Sequence, residues 1–139
     1  MLDLPLRADR ADSRPVVLCV DDDAAILQLL DRITRQAGCL PITADNGWDA
    51  VCLALQYYPD VLLLDILLPD IDGYEVMKAV ARLSAVSAPP AILITGRLND
   101  NHERRCEFAG AAGFIAKPFT AEQVIAAIEG VVGKTALHS

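Results

Sequence analysis

From Pro15 onward the chain repeats one pattern: a short run of consecutive apolar residues, a stretch with helical periodicity, then the next apolar run. The runs occupy residues 16–20, 39–43, 61–64, 91–95 and 113–116. A strand with one wet face alternates apolar with polar side chains. These do not alternate, so both faces of each strand must be covered. Between them, Ile26, Leu29, Leu30, Ile33 and Ala37 follow the i, i+3, i+4, i+7, i+11 series of an amphipathic helix, with Gly38 as its stop. A second helix is predicted over 47–55, and a third from Asp72 with Glu75 in capping-box position. A fourth, more polar, covers 99–109. The last starts at Thr120, with Gln123 in box position, and buries Val124, Ile128, Val131 and Val132. Five strands alternating with five helices over short connections, joined by right-handed crossovers, predict one doubly wound parallel α/β sheet.

The repeating part, residues 15–133, is one domain, and a chain of 139 residues can bury a self-sufficient core. Residues 1–14 read as a flexible arm with three Asp and three Arg, and 134–139 as a polar tail. Leu2, Leu4 and Leu6 alternate as an added edge strand would, although Pro5 argues against a central one. No apolar run is long enough to span a bilayer, and the N-terminus lacks an apolar core of signal-peptide length, so a cytoplasmic protein without membrane contact is expected. A net charge of −7 and no basic tract argue against direct binding of nucleic acid. Cys19, Cys39, Cys52 and Cys106 form no CxxC pair, and His102 and His138 lie apart from them. Buried or partly buried thiols are expected, not a zinc site.

In a sheet of this kind ligands sit beyond the carboxyl ends of the strands. The first strand ends in Asp21-Asp22-Asp23, the third in Asp65, the fourth in Thr95-Gly96 and the fifth in Lys117-Pro118. Converging carboxylates repel one another unless a cation neutralises them. Mg²⁺, a hard cation that keeps room for water and phosphate oxygens, suits such a set. Lys117 supplies a second positive charge beside Asp65, and Thr95 a hydroxyl donor. These parts fit phosphoryl transfer, in which a carboxylate can be the nucleophile. An Asp at a strand-to-helix junction is often only an N-cap, which remains the alternative for Asp22 or Asp23 taken singly. The set of four strand ends is what points to chemistry.

With these residues in place, the sequence resembles the receiver domain of two-component response regulators. The carrying segments are VVLCVDDD (16–23), VLLLDILLPDIDGYEV (61–76), AILITG (91–96) and GFIAKPFT (113–120). The resemblance implies a flavodoxin-like strand order of 2-1-3-4-5. It implies that Asp65 accepts phosphate from a sensor histidine kinase or a phosphotransfer protein. Asp22 would be a direct Mg²⁺ ligand, Asp21 would act largely through water, and Leu67 would offer its backbone carbonyl. Thr95 would hydrogen-bond a phosphoryl oxygen and Lys117 would pair with it. The bond before Pro118 would be cis, steering Lys117 into the pocket. Asp23 would be a helix-start residue.

The same resemblance implies a switch: phosphate draws Thr95 inward, the ring at position 114 follows, and the face of the fourth helix, fifth strand and fifth helix is remodelled. The usual ring there is Tyr; Phe114 lacks the hydroxyl that fixes the inward state, which predicts a less sharply biased switch. An effector protein, or a second copy docking through that face, would read it. Leu67 and Arg97 would flank the path of an attacking water, and Arg97, Arg104 and Arg105 lend the face some basic character. Trp48 is expected to pack. Two other readings stay open. One is a phosphatase of the haloacid-dehalogenase type, though Leu67 stands where its second acid is needed. The other is a degenerate receiver used as a scaffold.

Overall fold

The computed structural model describes residues 13–96 and 110–133. The predicted helix over 99–109, the arm up to residue 12, the tail from 134, and Arg97, His102, Arg104, Arg105, Cys106 and His138 lie outside the described residues. The elements are β1 (Val16–Val20), α1 (Ala24–Gln36), β2 (Leu40–Ala44), α2 (Gly47–Tyr57), β3 (Val61–Asp65), α3 (Gly73–Leu83), β4 (Ala91–Thr95), β5 (Gly113–Ala116) and α4 (Ala121–Val132). The strands form one parallel sheet in the order β2-β1-β3-β4-β5.

Alternate side chains of the same strands feed two separate cores. Val16, Leu18, Leu62, Leu64 and Leu93 pack with Ala50, Val51 and Ala54 of α2 and Val76 and Val80 of α3. Val17, Cys19, Leu63, Ile92 and Ile94 pack with Leu30 and Ile33 of α1 and Val124 and Ile128 of α4. This double burial is why the strand sequences are apolar without alternation.

Local chemistry sets the helix ends. Asp23 caps α1, its carboxylate accepting from the Ala25 N–H at 2.9 Å. At the other end Gly38 takes a φ of 83°, the Cys39 N–H donates to the Thr34 carbonyl and the Gly38 N–H to that of Arg35. That is a Schellman closure, which a glycine permits without strain. Both predicted capping boxes, Asp72 with Glu75 and Thr120 with Gln123, are present.

Several expectations need correction. β2 starts one residue later than predicted, and α2 runs on to Tyr57, ending at Tyr58 in the left-handed region. Leu29 is exposed and Thr34 is buried in its place. The Thr34 hydroxyl lies 3.6 Å from the Cys19 Sγ, so its polar atom has a partner inside the core. Trp48 does not pack; it is 54% exposed on the first turn of α2. Val131 and Val132 are only half-buried. Cys52 is exposed, whereas burial pushes the thiols of Cys19 and Cys39 up to about 12 and about 11, keeping both protonated.

The start of α3 lies hard against the end of β3. A Cβ on Gly73 would stand 2.7 Å from the Asp65 carbonyl oxygen and 3.0 Å from the Ile66 Cα, both backbone atoms that cannot swing aside. Gly130, inside α4, has nothing within 4 Å of that position. Gly73→Ala should therefore lose about 1–3 kcal/mol in urea unfolding, the usual cost of overpacking. Gly130→Ala should gain ~0.5–1 kcal/mol by restricting the unfolded chain. Two changes of the same sign would contradict the packing described.

Candidate functional site

Register brings the strand ends to one level: Val20 pairs with Leu64, Asp65 with Ile94, and Thr95 with Ala116. The ladders continue one residue further, with the Asp21 N–H donating to the Ala44 carbonyl and the Lys117 N–H to that of Thr95. Asp21, Asp65, Thr95 and Lys117 therefore share one rim. Asp21, Asp65 and Thr95 are buried, while Asp22 is exposed beside them. The bond between Lys117 and Pro118 is cis.

Carboxylate oxygens of Asp21, Asp22 and Asp65 lie within 4.8 Å of one another. Lys117 Nζ donates to Asp21 Oδ2 at 2.7 Å and to Asp65 Oδ2 at 3.3 Å. Its tighter partner is thus Asp21, not the Asp65 emphasised by the sequence. Asp21 Oδ1 also accepts from the Asp23 N–H at 2.9 Å, so both Asp21 oxygens have protein donors. Asp65 has longer contacts than Asp21: its Oδ1 accepts from the Leu67 N–H at 3.4 Å and its Oδ2 from Lys117 Nζ at 3.3 Å.

The electrostatics follow from that geometry. Burial raises the Asp65 pKa above 3.8 and the Asp21 charge adds to the rise, against the opposing pull of Lys117 and the Leu67 amide. For Lys117 burial works to lower the pKa, but the bond to Asp21 and the Asp65 charge outweigh it, and the ammonium is strengthened. Three converging carboxylates, one of them buried with a raised pKa, fit a small divalent cation. The arrangement can neutralise charge, hold an anion against an ammonium, and present one buried carboxylate to an electrophile.

Residues 17–129 match the family model described as the response regulator receiver domain. The chain belongs to the response regulator receiver family. Among relatives of this receiver is protein PilG of Pseudomonas aeruginosa, 27% identical over 84% of this chain and 86% of PilG. Another is the transcriptional regulatory protein TrcR of Mycobacterium tuberculosis, 32% identical over 93% of this chain. The receiver spans about half the length of TrcR and of the cell cycle regulator CtrA of Brucella ovis. The fold is similar to chemotaxis protein CheY4 of Vibrio cholerae (TM-score 0.80, 28% identity, 86% of this chain and 99% of that one). It is also similar to a BeF3-activated DrrB receiver domain (TM-score 0.74, 26% identity, 91% and 99%).

The structure brings together the receiver's Asp21, Asp22, Asp65 and Lys117, with Thr95 on the same rim. Leu67 has its amide on Asp65 and is 58% exposed. Phe114 is half-buried against the core on the side of α2 and α3. One polar residue of the site loop was missed altogether: Asp70 accepts from the backbone of α2. Nothing local signals this: Glu75 marks Asp72 as the cap of the helix that follows, whereas the amides that Asp70 accepts from lie on another element.

The raised Asp65 pKa has a stability consequence. Folded Asp65 keeps its proton to higher pH than the unfolded chain does, so the native state binds more protons in the window above 3.8. Stability then falls as pH rises through that window, and the charged carboxylate is a liability at neutral pH. With divalent metal chelated, Asp65→Asn should raise the melting temperature of the receiver near neutrality by about 2–4 °C, the shift ~1 kcal/mol produces at this size. The gain should shrink as pH is lowered towards 3.8. A melting temperature that fell at neutral pH would contradict the assignment.

Proposed function

We propose that this receiver takes a phosphoryl group onto Asp65 from the phosphohistidine of a sensor histidine kinase or a phosphotransfer protein, with Mg²⁺ required. The supporting observation is the state of that carboxylate: buried, raised in pKa, beside an ammonium, with hydrogen bonds of 3.4 Å to the Leu67 amide and 3.3 Å to Lys117. A carboxylate whose charge burial disfavours is the better nucleophile once ionised. An Asp65 oxygen forms the new P–O bond, the P–N bond breaks, and the imidazole leaves with that electron pair and takes a proton from water.

Asp22, exposed at the rim, is the direct ligand in this reading. Asp21, with a protein donor on each oxygen, acts through water, and the Leu67 carbonyl joins the set. Bound there, Mg²⁺ supplies neutralisation of the carboxylates and of charge on the phosphoryl oxygens. Thr95 and Lys117 serve as hydrogen-bond donor and ion-pair partner for the transferred group. Asp21 gives Lys117 a place to stand before that group arrives.

Thr95 and Phe114 lie on the same face of adjacent strands, as the pairings of Leu93 with Phe114 and Thr95 with Ala116 require. In this reading the phosphorylated state draws Thr95 towards Asp65. Phe114, half-buried and without a hydroxyl, follows it with a weaker bias than a tyrosine would have. The face around β5 and α4 then presents itself to an effector protein or a second copy. The net charge of −7 supports a protein partner over direct contact with nucleic acid.

The haloacid-dehalogenase alternative needs an acid two residues beyond the nucleophile, and that place holds the exposed apolar Leu67. Incubation with a radiolabelled phosphohistidine donor and Mg²⁺ should label one site per chain, and Asp65→Asn should remove at least nine-tenths of the label. Beryllofluoride should bind only with Mg²⁺. Steady multiple turnover of a generic phosphate ester, or label persisting in Asp65→Asn, would reject the proposal.

A further inference from the structure

The loop between β3 and α3 is fastened to a different helix. Asp70 Oδ1 accepts from the Gly47 N–H at 2.7 Å and its Oδ2 from the Trp48 N–H at 2.8 Å. The Asn46 side chain accepts from the Asp49 N–H at 2.9 Å. The first amides of a helix have no carbonyl partner within it. Here three successive ones find side-chain acceptors, and two of those bonds come from a residue 22 and 23 positions further along the chain. A negative charge at a helix start is also favoured by the helix dipole.

The fit of loop on helix is close. A Cβ on Gly47 would stand 2.5 Å from Ile71 Cγ1 and 3.1 Å from Asp70 Oδ1, so a larger residue there would push the loop off. At its ends the same loop is tied by the Ile66 N–H to the Ile94 carbonyl at 3.2 Å and by the Gly73 N–H to the Ile66 carbonyl at 2.8 Å. Leu67, Leu68 and Pro69 lie between the Ile66 tie and Asp70. Leu67 is the residue whose amide reaches Asp65 and whose carbonyl is assigned to the metal.

We propose that Asp70 is a positioning residue for phosphoryl transfer: by clamping the loop onto the start of α2, it fixes the Leu67 backbone relative to Asp65. This rests on Asp65 being the phosphoryl acceptor. It adds a part played by a residue that touches neither metal nor phosphate. Groups that orient metal ligands from behind typically govern affinity by 10–100-fold. Coupling between sites is reciprocal, so occupation of the pocket also tightens the clamp on Gly47 and Trp48.

The test compares wild type, Asp70→Asn and Asp70→Ala. In Asp70→Ala, phosphorylation by acetyl phosphate should need about ten-fold more Mg²⁺ for half-maximal rate, with the limiting rate at saturating Mg²⁺ kept within about two-fold. Asp70→Asn, which retains one acceptor oxygen, should fall between. Hydrogen exchange at the Gly47 and Trp48 amides should quicken in Asp70→Ala without metal or phosphate, while amides of α1 and α4 keep their protection. If wild type labels and both variants keep its Mg²⁺ requirement, the positioning role is wrong and the acceptor assignment stands. Wild type that takes no label overturns both. A variant that loses protection throughout the sheet makes Asp70 a stability residue and also rejects the proposal; Asp70→Asn, the milder change, decides that point if Asp70→Ala does not fold.

Discussion

The rim of this protein depends on one ammonium among acids. Lys117 lies 2.7 Å from one oxygen of Asp21 and 3.3 Å from one of Asp65, in a place where three carboxylates converge. Two like charges within 4.8 Å of each other repel by roughly 3–4 kcal/mol at an effective dielectric near 20. One lysine offsets part of that and not all; burial first, and the Asp21 charge second, keep the Asp65 pKa raised despite its presence. Burial together with the residual repulsion is the physical basis for cation binding and for a reactive carboxylate alike. A fully neutralised pocket would have neither property.

The fold delivers that conflict by placing strand ends, not by strain in any one loop. Parallel strands in matched register end together, so residues distant in sequence meet at one edge. Two apolar cores, one on each face, hold the sheet that carries them. The close approach of Gly73 to the end of β3 and the clamp of Asp70 on α2 bring two further helices into contact with the acceptor loop. The site is thus polar groups set at the margin of a rigid apolar slab, where preorganisation costs least.

Much of this was legible in the residues. β4, β5 and both capping boxes stand where the apolar runs and the Asp72/Glu75 and Thr120/Gln123 spacings place them. The acidic cluster could be read because each member follows directly on a strand. What could not be read depends on partners far along the chain. Thr34 is buried in place of Leu29 because Cys19 lies opposite its hydroxyl, and helical periodicity carries no knowledge of that neighbour. Trp48, expected to pack, is exposed on the first turn of α2, a position its large apolar ring does not announce. The preference of Lys117 for Asp21 over Asp65 is a matter of tenths of an ångström. Asp70 was invisible for the same reason: its acceptor role is defined by amides on another element.

The central claim is that Asp65 is a carboxylate under electrostatic pressure that a divalent cation relieves. The direct measurement is an NMR titration of the Asp65 side-chain carboxyl, selectively labelled with carbon-13, with and without Mg²⁺. The account predicts a pKa above 3.8 in the metal-free protein, falling below that value when Mg²⁺ saturates the site. A pKa at or under 3.8 without metal, unmoved by Mg²⁺, would contradict it.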